Sequence, residues 1–156
     1  MIKKKYELTD EVDEVGGHTL YRIRALKDFG YVKKGDLGGF IQKESNLSHK
    51  GDCWIFGNAQ VYDNAKVYGD ARIYGNALVS ENAQVSDYAE VGGSSVRDNA
   101  KIYGYARIYE NSVIGGSVHV YGNAKIYNQA YIRCRVDIAG DCKISGSTVI
   151  LDREKQ

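Results

Sequence analysis

The chain has 156 residues, a length that suits one domain, and its 21 Lys and Arg against 20 Asp and Glu leave a net charge of +1. That balance gives no global field for long nucleic acid or anionic lipid. Its 43% apolar content supplies a core, which argues against disorder. No apolar run approaches the ~18 residues of a membrane-spanning helix. The basic start, Met1 to Lys5, has no apolar segment behind it, so no signal peptide is expected. Eighteen Gly with no Pro predict many tight corners and few irregular loops. The three cysteines, Cys53, Cys134 and Cys142, are an odd set without close pairing. They argue against a disulfide framework and for a cytoplasmic location.

Residues 1–44 read as a β segment. Leu20 to Leu26 alternates, with Tyr21, Ile23 and Ala25 opposite Arg22 and Arg24, as a half-buried strand does. Lys3–Leu8 and Gly30–Val32 are candidate short strands. The stretch Ser45–Lys50 reads as a degenerate first rung of a repeat, with Leu47 at its third position and His49 at its fifth.

From Gly51 to Leu151 the chain repeats with a period of six, in 17 blocks. Residues 57–74 show it plainly as GNAQVY, DNAKVY and GDARIY. The fifth position is Val or Ile in all 17 blocks. The third is small or short: mostly Ala, with Cys53, Ser95, Ser112, Val118, Val136, Cys142 and Thr148 among the others. Gly93 to Arg97 is one residue short. Side chains alternate along an extended strand, so positions three and five share the inward face. Gly opens 10 of the 17 blocks and Asn is second in seven. Both residues tolerate the positive φ of a corner. Each block is then one short strand and one corner. Three blocks close a triangular coil, and nearly six coils stack into a prism about 25–30 Å long. Residues 45–151 form this helix, 1–44 cap its open edge, and 152–156 make a polar tail.

The motif of an aliphatic residue, three variable positions and a small residue stands here as Val61-Tyr-Asp-Asn-Ala65 and Ile126-Tyr-Asn-Gln-Ala130. It resembles the left-handed parallel β-helix of the hexapeptide-repeat superfamily. With Gly35 to Ile41, Glu44 to His49 and Cys53-Trp-Ile55 added, the chain is similar to bacterial and phage-encoded acyltransferase-like hexapeptide proteins. The resemblance implies an all-β left-handed helix and a homotrimer. It also offers two functions: acyl transfer with a His base and an extruded loop, or a phage-encoded antagonist of a host system.

The fourth position of each block points outward, and blocks three apart share a face. One column holds Gln60, Leu78, Val113, Tyr131 and Val149. Leu78, Val113, Tyr131 and Val149 are its apolar members and are expected at an oligomer interface. A second column holds Lys66, Gln84, Lys101, His119 and Asp137. A third holds Trp54, Arg72, Glu90, Arg107, Lys125 and Lys143. Position six adds rings, pairing Tyr103 with Tyr121, Phe56 with Tyr74, and Tyr109 with Tyr127.

His119 is the only catalytic candidate, as a general base with Asp137 one coil on and Lys101 one coil back. No block is followed by an insertion, which weighs against acyl transfer. His18, His49 and His119 are scattered, so no metal site and no cofactor are expected. All three thiols are expected to be buried and inert, Cys53 and Cys142 facing the core about 24 Å apart and Cys134 at a corner. Arg107, Lys125 and Lys143 beside Tyr109 and Tyr127 suit a phosphate-bearing small molecule or an acidic protein surface. Together these features read as a non-catalytic, self-associating binding or inhibitory protein. The rivals are an acyltransferase and a protein that sequesters nucleotides between subunits.

Overall fold

A computed structural model describes residues 3–152. Its three stacked sheets form a parallel β-helix whose corners are set by the six-residue repeat. Each short strand pairs in parallel with the strand one coil away, as Val91 does with Ile73 and Ile108. The outward columns fall in register as the repeat predicts: Leu78, Val113 and Tyr131 on one face, Lys101, His119 and Asp137 on the next, and Arg72, Glu90, Arg107, Lys125 and Lys143 on the third. The alanines of position three and the Val or Ile of position five are buried from Ala59 to Ile132 and form one continuous core. Position three also admits Val118 and Cys53, which are buried in the same core, so it takes small or short side chains and not alanine alone.

The corners place the left-handed φ at the first residue of every block except the one opened by Cys134, whether that residue is Gly or not. Asp63, Glu81, Asp87 and Asp98 all take φ near 57°, as Gly57 and Gly122 do near 62–65°. Asn at position two is therefore not the residue that turns the chain, except at Asn111 (φ 62). Its backbone N–H instead bonds down to the next coil, as Asn64 does to the Glu81 carbonyl at 2.9 Å. In the short block, Ser95 pairs with Leu78 and Val113 and so stands at the outward fourth position, while Ser94 takes the buried third. The deleted residue belongs to the corner, which is why the core register survives.

The first coil starts earlier than the repeat suggested. Strand β1 (Tyr6–Val15) pairs with β2 (His18–Ala25), and β2 pairs with β3 (Leu37–Ile41), both antiparallel. β3 then pairs in parallel with Gln60–Val61, so it is a rung of the helix as well as an edge of the cap. Gly30–Val32 forms no strand, only an isolated bridge between Phe29 and Val32. Leu47 bridges Val67 and is buried, so it occupies the fifth position of its rung, not the third. His49 consequently leaves the frame and stacks on Tyr6 at 4.1 Å. Trp54 belongs to the third column but is buried, with Phe29 of the cap against its ring at 5.3 Å.

The cap carries buried polar groups that seal this end. Lys5 is fully buried, and its Nζ donates to the carbonyls of Gly51 (3.0 Å) and Cys53 (2.7 Å) and to Cys53 Sγ (3.3 Å). Tyr6 donates its hydroxyl to the carbonyls of Glu44 and Leu47. His49 Nδ1 accepts the Lys5 backbone N–H, and its buried Nε2 has no hydrogen-bond partner. Burial first, with Lys4 and Lys5 adding to it against Glu44, lowers the His49 pKa below its ordinary 6.5. The unfolded chain then takes up the proton that the folded chain refuses, so stability falls as pH drops below 6.5. Thermal midpoints at pH 7 and pH 5 should diverge in the wild type and converge in His49→Phe. Equal pH dependence of the two proteins would contradict this assignment.

Candidate functional site

Face three gathers the cations because its fourth position is Arg72, Arg107, Lys125 and Lys143 on nearby rungs. Glu90 lies between the two arginines, 3.7 Å from Arg72 and 3.4 Å from Arg107. It thereby offsets part of the positive charge in the upper half of the column. Among the described residues Lys125 and Lys143 form no ion pair, so the lower half keeps its positive charge. Unit charges about 5 Å apart in water repel by roughly 0.8 kcal/mol, a cost that a bound anion would remove.

Two grooves flank this column and meet at Tyr105 and Arg107. The upper one, of about 350 Å³, lies between the cap segment Gly30–Val32 and the rungs of Arg72, Glu90 and Arg107. Arg72 stacks over the Tyr31 ring at 4.7 Å along its rim. The lower one, of about 420 Å³, is lined by Tyr105, Arg107, Asn123, Lys125, Asp141 and Lys143. The structure thus brings Arg107, Lys125 and Lys143 to one groove, as the sequence predicts, but the ring beside them is Tyr105. Tyr109 and Tyr127 do stack, at 5.1 Å and 7°, yet they line neither groove. Tyr88 and Tyr105 stack at 5.0 Å and 5° on the corner before the strand. Their signal was present in the sequence: both are second in their blocks, where Asn or Asp is usual, one coil apart. Tyr103 and Tyr121 also stack, at 4.9 Å. Phe56 and Tyr74 do not. The Tyr74 ring occupies the room left by Gly92, where a Cβ would meet it at 2.2 Å.

The remaining candidates lie apart. His119 is half-exposed on the second face, its Nδ1 3.8 Å from Asp137 Oδ1, too far for a hydrogen bond. His18 opens β2 and sits 3.0 Å from Asp63. No group of three metal-ligating side chains occurs among the described residues. Cys53 and Cys134 are buried, Cys134 at the end of a strand and not at an open corner. Cys142, expected in the core, is exposed, because no further coil covers it among the described residues. On the first face Leu78, Val113 and Tyr131 are half-buried and Val149 is exposed. Arg97 donates to the Tyr131 hydroxyl there at 3.3 Å.

A family model described as the YdcK beta-solenoid repeat matches residues 59–72 and 71–87. The match falls on blocks whose alanines and valines build the core. The chain is a β-solenoid repeat protein. No curated protein matches it. No helix of this β-solenoid is long and apolar enough to cross a membrane, among the described residues. Of the polar tail expected at 152–156, residues 153–156 lie outside the described residues.

Proposed function

We propose that this β-solenoid protein is a non-catalytic binding protein that holds a phosphate-bearing small molecule on its third face. The observation that carries the reading is the run Arg107, Lys125 and Lys143 on consecutive rungs of one groove, with a stacked tyrosine at its wall. Such a groove offers charge to an anion and a ring face to whatever the anion carries. It holds its ligand without converting it, which is the inhibitory act of a sequestering protein. Acyl transfer draws less support, because no side chain among the described residues hydrogen-bonds the His119 ring to orient it as a base. Binding should weaken with salt, since the contacts are exposed charges. Titration with inorganic tripolyphosphate should give a Kd at least about tenfold weaker in the Arg107→Glu/Lys125→Glu variant, with circular dichroism unchanged. Equal binding by wild type and variant would rule the site out.

The same reading includes self-association through the first face, as a trimer. Val113 and Tyr131 are neighbours in that column and Val149 continues it. Lysine at both Val113 and Tyr131 should convert the protein to monomers in sedimentation velocity. A wild type that already sediments as a monomer at micromolar concentration would end this part of the proposal.

A further inference from the structure

The corner column before the third face reads Asp70, Tyr88, Tyr105, Asn123, Asp141 down successive coils. Backbone bonds from Tyr88 to Gly104, Tyr105 to Gly122 and Asn123 to Gly140, each 2.8–2.9 Å, fix that order. The two tyrosine rings lie parallel at the coil spacing, 5.0 Å apart, and stay 55% and 60% exposed. The ladder stops at Tyr105, because the next rung carries the short side chain of Asn123. The lower face of the Tyr105 ring is left without a ring to stack on, and the groove of the three cations opens at that place.

We infer that this step in the ladder is a base-stacking slot, and that the ligand of the third face is a nucleotide. The inference rests on the anion reading above and adds the chemistry of the other half of the ligand. A planar heterocycle one coil spacing below Tyr105 continues the ring stack at the level of Asn123. The amide of Asn123 offers one donor group and one acceptor to its edge, and the Asp141 carboxylate accepts from an exocyclic amino group. The strand leaves the corner two residues later, so the phosphates run from the slot onto Arg107, Lys125 and Lys143. Stacking of this kind tolerates any base, because every base has a π face. Selectivity among bases would come from Asn123 and Asp141.

The test compares adenosine triphosphate with inorganic tripolyphosphate by calorimetry on the full chain at one low salt concentration. The slot predicts that the nucleotide binds at least about tenfold tighter than tripolyphosphate. Tyr105→Ala should erase that difference and leave tripolyphosphate affinity unchanged, while Tyr105→Phe should keep it. Asn123→Trp, which fills the slot with a ring of the protein's own, should do the same as Tyr105→Ala without removing any part of the tyrosine pair. Equal affinity of the two ligands for the wild type would overturn the slot and leave the anion face standing. A difference that persists in both Tyr105→Ala and Asn123→Trp would overturn it too. Binding of neither ligand would remove the anion reading, and the slot with it.

Discussion

The Gly39→Val variant is expected to lose at least about 3 kcal/mol of stability, or to fail to fold. Gly39 lies in β3, where the cap sheet becomes the first rung of the helix. A Cβ there would stand 2.4 Å from the Ala59 carbonyl oxygen and 2.5 Å from Ile55 Cγ2. The first of these is backbone of the next coil and cannot turn aside. Its carbonyl also accepts the Phe40 N–H at 2.9 Å, the bond that starts the parallel stack. Relief of the clash would therefore break the joint between cap and helix. Urea unfolding of wild type and variant measures the effect directly. A midpoint unchanged by the substitution would show that β3 is not the rung described.

Lys5→Ala is expected to cost about 3 kcal/mol. It leaves the buried carbonyl of Cys53 without the donor that satisfies it, at about 1–3 kcal/mol, removes the part-buried bond to the Gly51 carbonyl, and opens a cavity beside Phe29. The pH dependence carries a second signature. Burial lowers the Lys5 pKa from its ordinary 10.5, so the unfolded chain binds the extra proton and Lys5 adds stability as pH rises towards that value. Burial raises the Cys53 thiol above 9.0 and the Tyr6 phenol above 10.0, so those two groups remove stability as pH rises past their unfolded values. Without Lys5 only the two losses remain. Alkaline unfolding should then begin at a lower pH in Lys5→Ala than in the wild type. An identical alkaline onset would contradict the burial of the lysine.

The β-helix was legible because its repeat states the core directly. Val or Ile at every fifth position and Ala at most third positions leave one way to close a coil, and the outward columns come from counting. Three features escaped the count. The five-residue block does not say where its missing residue was, and only the pairing of Ser95 with Val113 places the gap at the corner. Leu47 sits on a rung built from a 3-10 turn, Glu44–Asn46, so its frame obeys no hexapeptide. Lys5 carries no pattern at all, since its burial depends on carbonyls about 46–48 residues away. At the candidate site the cations were legible as a column, while the ring was misassigned. Counting favours Tyr109 and Tyr127, which come just after the strand. The groove opens on the other side, where Tyr105 replaces the usual corner Asn. Cys142 shows the limit of the inward-facing rule: position three is buried only where another coil lies against it.

An anion site on the third face is the claim on which the proposed function depends. Titrating the isotopically labelled chain with inorganic tripolyphosphate, monitored by amide chemical shifts, tests it residue by residue. Saturable shifts are expected at Arg107, Lys125 and Lys143, with the first and second faces unmoved. Shifts centred on His119 or on Val113 and Tyr131, or no shift at millimolar ligand, would contradict it.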